Sequence, residues 1–143
     1  MTTNKTYVAI FLLLVFTSCS TPNNTEKIVT TSSGLKYSIL KKGNGEIAKV
    51  GDEISVYESM SLPNGKLIYS IEKPTLPIKF VIGKKQVIEG VEQGVTGMKQ
   101  GEIRKLIVPP SLSKRKEYPD SLSPDSILIY KIELVEITKI NKQ

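Results

Sequence analysis

The 143-residue chain contains no His, and its single Cys, Cys19, lies near the N-terminus. Without an imidazole there is no His-based general base. Without a second thiol there is no disulfide within the chain and no zinc site of the usual His/Cys kind. Any chemistry must therefore be done without the usual reactive side chains. Among the carboxylates, Glu58 stands out because it interrupts the apolar alternation Ile54-Val56-x-Met60, where an unpaired charge is costly. Either it finds a partner there or it sits hydrated at a sheet rim. Cys19 stands out by position: it follows nine consecutive apolar residues, Val8 to Phe16, and the small residues Thr17 and Ser18.

The elements that would position such groups are mostly strands. Leu35, Tyr37 and Ile39 alternate with Lys36 and Ser38 and run into the Gly43-Asn44-Gly45 turn. Ile54, Val56 and Met60 mark a strand with one buried face, and Pro63-Asn64-Gly65 turns it into Lys66–Ser70. Ile78, Phe80 and Ile82 form a short strand, and Ile103–Val108 another, stopped by Pro109-Pro110. Ser126–Ile137 is the longest, with Leu128, Tyr130, Ile132 and Leu134 on one face. One segment has a different period. Val87, Val91, Val95 and Met98 fall on one stripe of a helix, although Gly90, Gly94 and Gly97 each weaken it by about 1 kcal/mol relative to Ala. Those glycines fit a helix lying so close to a sheet that Cβ atoms would obstruct. The pattern predicts an α+β domain, a mainly antiparallel sheet of about five strands on one short helix.

With 20 Lys+Arg, 14 Asp+Glu, 39% hydrophobic and 24% charged residues, the chain suits one ordinary domain and neither a disordered acidic polymer nor a multi-span membrane protein. The Val8–Phe16 run is shorter than the about 20 residues needed to span a bilayer, but it suits a secretory h-region behind Lys5. With Cys19 it resembles a bacterial lipoprotein signal, cut before the Cys and lipidated on its thiol; an ordinary signal peptide or an uncleaved anchor are the other readings. The expected organisation is a signal over 1–18, a lipidated Cys19 and flexible tether over 19–33, a domain over 34–138 and a polar tail over 139–143.

The motifs of that domain resemble the FKBP-type peptidyl-prolyl isomerases. Ser33-Gly34-Leu35-Lys36-Tyr37, Leu40-Lys41-Lys42-Gly43-Asn44-Gly45, Val50-Gly51-Asp52, Asn64-Gly65-Lys66 and Phe80-Val81-Ile82-Gly83 carry the likeness. The most specific stretch runs from Val87 through Gly90, Gly94, Gly97 and Gly101 to Glu102, and on through Arg104 to Pro109. The resemblance implies a half-wrapped sheet around one short helix. It also implies prolyl isomerisation, in which no covalent bond breaks and the obstacle is the ~18–20 kcal/mol rotational barrier set by amide resonance. A dry apolar pocket that holds a twisted amide better than a planar one lowers that barrier, with no cofactor or metal.

Carried over position by position, the family's pocket falls on Ile68, Ile78, Val87, Ile88, Val91 and Tyr130. Ile68, Ile78 and Val91 stand where the family commonly has aromatics, each able to bury about 150–250 Å². The implied cavity is wider or differently shaped and binds proline less well. The flap reads Ser111-Leu112-Ser113-Lys114-Arg115-Lys116-Glu117-Tyr118, with Lys114 at the position of a substrate-facing tyrosine and Tyr118 near enough to occupy that space. Lys114-Arg115-Lys116 reads first as a solvated loop tip and second as an electropositive lip for acidic partners. The family's hydrogen-bonded tyrosine and aspartate become Glu58 and Tyr69 in exchanged order, so Tyr69 is expected to donate to Glu58. These two are the expected catalytic pair.

The leading functional expectation is an isomerase lipid-anchored in a bacterial cell envelope, facing the periplasm or held in the outer membrane, and acting on proline-containing polypeptide clients. The alternative is a catalytically weak or inactive binding or chaperone module of an envelope assembly. Lys and Arg are interspersed with acids, with no stacking platform of aromatics, so no nucleic-acid partner is expected. A monomer is expected.

Overall fold

The computed structural model describes residues 26–140. The expected signal over 1–18 and the lipidation site Cys19 lie outside them. The alternating segments become seven strands: β1 (Val29–Thr30), β2 (Lys36–Lys41), β3 (Glu53–Ser61), β4 (Leu67–Ile71), β5 (Ile78–Val81), β6 (Ile103–Val108) and β7 (Leu128–Thr138), with the helix α1 at Glu89–Val95. Every pairing is antiparallel, in the order β1-β2-β6-β7-β3-β4, and β5 also pairs with β3. Because β7 occupies the whole of one edge of β3, β4 and β5 share the other as one interrupted strand. Counted so, and leaving aside the two-residue β1, the sheet has the five rows its sequence pattern implies.

The helix is shorter than the apolar stripe. Val87 precedes it and the fully buried Met98 follows it. Two of its three expected close-approach glycines act as such: a Cβ on Gly90 would collide with Val108 Cγ1, and one on Gly94 with both terminal methyls of Leu106. Gly97 is different. Nothing crowds it, but its φ of +80° is one that other residues rarely adopt, and it redirects the chain after the helix. Arg104 on β6 locks this arrangement: its Nε donates to Glu102 at 2.5 Å, and its Nη atoms donate to the carbonyls of Gly94 at 2.9 Å and Gly97 at 3.2 Å. A cation on the open carbonyls of a helix end also complements the macrodipole. Val91, Val95 and Met98 then close a core with Leu106, Ile132 and Leu134.

At both ends, contacts reach beyond residues 34–138. Within the segment 19–33, expected as a flexible tether, Val29–Thr30 pair with Tyr37 and Lys36, and Glu26 accepts from Ser38 at 3.3 Å. Two β-branched residues beside an open edge extend the ladder at little entropic expense. At the other end, Lys139, placed in the polar tail over 139–143, returns to Asp52 at 2.8 Å and Glu46 at 3.5 Å.

Candidate active site

Cross-strand register places Glu58, Tyr69, Ile78 and Tyr130 on one face of the sheet. Tyr69, Met60, Tyr130, Leu106 and Tyr37 form one continuous row through β4, β3, β7, β6 and β2. The next row reads Ile71, Glu58, Ile132 and Arg104. The β3–β4 pairing is irregular: Ser61 is opposite Leu67 while Met60 is opposite Tyr69, so Ile68 is an extra residue. Without that bulge the parity of β4 would reverse and Tyr69 would lie on the other face.

The Tyr69 hydroxyl donates to Glu58 Oε1. Glu58 is thus neither unpaired nor a hydrated rim residue: it is 7% exposed, and its second oxygen, Oε2, is buried without a protein partner. Burial pushes the Glu58 carboxyl above its ordinary 4.5, and the bond from Tyr69 opposes that push. The Tyr69 phenol is raised by burial first and by the neighbouring Glu58 charge second. Tyr130 is raised by the same two causes in the same order, while the Arg115 side chain works the other way. Glu58, Tyr69, Tyr130 and Arg115 therefore form one electrostatic cluster.

The apolar wall comes from three further elements. Ile78 lies on β5 opposite Val56. Val87 and Ile88 occupy the turn into α1, which is stapled by Glu92 Oε1 accepting from the amides of Gly83 at 3.2 Å and Lys85 at 2.8 Å, and by Gln86 Oε1 accepting from Val81 N at 2.8 Å. Val91 lies in the first turn of α1. Ile68, Ile78, Val87, Ile88 and Tyr118 are half-buried and pack on the core, whereas Val91 and Tyr130, at 2% and 3% exposure, form its floor. Two cavities at this end, of 610 and 380 Å³, share Val87 and Ile88 in their walls, and Ile68, Ile78, Val91 and Tyr130 line neither. Val91 and Tyr130 are almost wholly covered, so the accessible apolar surface is carried by the half-buried Ile68, Ile78, Val87 and Ile88.

The flap holds a residue that the solvated-tip reading underrates. Leu112 and Leu122, at 5% and 4% exposure, pin its two ends. Between them Lys114 and Lys116 are exposed, but Arg115 turns inward, its guanidinium 5.8 Å from the Tyr118 ring centroid and its Nη2 buried without a partner. A run of three cations gives no sign of which one folds in.

Chemically, the site offers an apolar surface for a pyrrolidine ring, a phenol held by a carboxylate, and a cation at the lip. None of these need accept a proton for an amide to rotate. Among the described residues, no three His, Cys, Asp or Glu side chains cluster to hold a metal.

The chain resembles known proteins over this same region. A family model described as FKBP-type peptidyl-prolyl cis-trans isomerase matches residues 44–135. FK506-binding protein 2 of Candida glabrata is 36% identical over 136 residues, covering 91% of this chain and 96% of that protein. Peptidyl-prolyl cis-trans isomerase Mip of Coxiella burnetii is 32% identical, over 81% of this chain and 50% of that protein. Among solved structures, FkpA from Escherichia coli superposes with a TM-score of 0.69 at 29% identity, over 78% of this chain and 52% of that one. AtFKBP13 does so with 0.67 at 30% identity, over 77% and 98%. The fold and the family match thus agree, and the chain belongs to the FKBP-type peptidyl-prolyl cis-trans isomerase family.

Proposed function

We propose that this protein isomerises X-Pro bonds of polypeptides at a bacterial cell envelope, where lipid on Cys19 holds it, and so assists the folding of exported proteins. The observation that carries the catalytic part is the Glu58–Tyr69 hydrogen bond at the margin of the apolar surface formed by Ile68, Ile78, Val87 and Ile88. The proline ring rests on that surface, where low polarity disfavours the charge-separated amide, and Tyr69 fixes the polar edge. Envelope anchoring rests on the Lys5, Val8–Phe16 and Cys19 arrangement. A protease-free assay on short X-Pro peptides tests the catalysis: a rate equal to the uncatalysed one at high protein concentration removes it. Cys19→Ser tests the anchor and is expected to release the protein from the membrane fraction.

A second reading is favoured by the near-complete burial of Val91 and Tyr130. A floor so fully covered suits a binding module that holds proline-rich segments without turning them over quickly. It predicts retention of a client after Tyr130→Ala, an outcome the catalytic reading does not share.

A further inference from the structure

We propose that Arg115, together with Lys85, Lys114 and Lys116, forms an anion-reading wall beside the prolyl site, which selects segments bearing an Asp or Glu next to the proline. This rests on the prolyl-binding reading of the Val87–Ile88 surface. The cavity of 380 Å³ at the lip has those four cations and the Val87–Ile88 pair in its wall, and no described carboxylate lines it. Val87 and Ile88 therefore belong to both surfaces. A residue bonded to the proline, its Cα about 3.8 Å away, lies within side-chain reach of the cations.

Arg115 gives the wall its specificity. Its Nε donates to Ser113 O at 3.4 Å, at the far limit of a hydrogen bond, and its Nη2 is buried with no partner. A buried donor left unpaired is unfavourable, and a carboxylate entering from the cavity would satisfy it with a charge-assisted bond. The ring of Tyr118 lies against the guanidinium, 5.8 Å from centroid to Cζ, and limits its swing. The nearest acids on α1 are otherwise engaged: Glu92 accepts from the Gly83 and Lys85 amides, and Glu89 from Gln93 Nε2 at 2.9 Å. Lys85 and Lys114 share the neighbouring 610 Å³ cavity with Glu89 and Glu92, whereas the 380 Å³ cavity brings them together with Arg115 and Lys116 and has no described carboxylate in its wall. The internal competitors among the described residues are the Tyr130 hydroxyl, on which the Arg115 side chain acts, and Glu58, whose Oε2 also lacks a partner.

The test measures both binding and turnover for matched peptides with Glu, Gln or Leu before the proline, and a second set with the same residues after it. Glu is expected to bind about tenfold tighter than Gln in at least one set, as one charge-assisted hydrogen bond implies. That ratio is expected to fall in high salt and to collapse towards one in Arg115→Gln. Equal binding of Glu and Gln peptides in both sets overturns the proposal. So does an Arg115→Gln variant that loses affinity for every peptide alike, which would assign Arg115 to Glu58 instead. Absence of turnover on all peptides, with the binding ratio intact, removes the isomerase reading and leaves the acidic preference standing.

Discussion

Tyr69 reaches Glu58 one pair out of register across the β3–β4 hairpin: the residue directly opposite Glu58 is Ile71, and Tyr69 itself is opposite Met60. Diagonal neighbours of this kind are about 7–8 Å apart at Cα, a gap that a phenol and a carboxylate close between them. The acid thereby acquires a donor without its backbone leaving the ladder. Removing the phenol alone strands a buried oxygen. Tyr69→Phe is expected to destabilise the protein by about 1–3 kcal/mol in urea unfolding. Adding Glu58→Leu to Tyr69→Phe is expected to recover part of that loss, because both polar partners are then gone. A double variant as unstable as the sum of the singles would show that the two side chains are not coupled.

The same carboxylate sets a pH dependence. Burial raises the Glu58 carboxyl above its ordinary 4.5, so the folded protein holds that proton more tightly than the unfolded chain. Folding is then least penalised below pH 4.5 and loses stability as pH climbs through the raised value, where Glu58 must ionise inside the fold. Glu58→Gln carries no such charge. Its stability relative to the parent is expected to improve across that window and then level off. Denaturant midpoints of the two proteins that run parallel from pH 4 to pH 8 would contradict this.

The helix–sheet contact gives a prediction opposite to helix propensity. Ala favours a helix over Gly by about 1 kcal/mol. Yet at Gly94 a methyl would strike the terminal methyls of Leu106, which is fully buried and has little room to yield. Gly94→Ala is expected to cost about 1–3 kcal/mol net. Leu106→Val, harmful alone, is expected to relieve it in the double variant. A stabilised Gly94→Ala protein would mean that α1 lies farther from β6 than its geometry indicates.

These cases also show what a one-dimensional pattern carries. Alternation and glycine spacing are local and repeated, so the strands, the helix and its close approach to the sheet were legible, as was the meeting of Tyr69 with Glu58. Strand β1 was not, because two residues become a strand only when a neighbouring edge is present. Nor was the bulge at Ile68, which is a property of pairing between β3 and β4 and not of either segment. Arg115 was hidden among equals: Lys114, Arg115 and Lys116 share a charge, and only the packing of Leu112, Tyr118 and Leu122 decides which of them turns inward.

Arg104 holds the C-terminal end of the helix. It is 6% exposed, pairs with the equally buried Glu102, donates to the carbonyls of Gly94 and Gly97, and stacks 4.6 Å from the Tyr37 ring centroid. Arg104→Ala strands Glu102 and both carbonyls, and is expected to cost about 3–5 kcal/mol. Arg104→Lys keeps the charge but not the planar fork, and is expected to recover only a minor share. Thermal unfolding of the two variants decides it. If Lys restores the parent midpoint, charge alone holds the helix and the fork is immaterial.

The family resemblance implies aromatics at the positions of Ile68 and Val91, but the structure makes the two unequal targets for introducing one. Ile68 is half-buried in the bulge at the margin of the apolar surface, with solvent beside it. Ile68→Phe adds area where a proline ring would rest, and is expected to raise kcat/KM on a Leu-Pro peptide several-fold while leaving stability near the parent value. Val91 is 2% exposed and packed beneath the same surface, so a larger ring there has no free volume to enter. Val91→Phe is expected to lower stability by about 1–3 kcal/mol through overpacking, without a gain in turnover. Measuring both variants for turnover and for urea midpoint separates the two sites. A gain in turnover at Val91 with stability unchanged would show that the floor opens in solution and that substrate reaches Val91 directly.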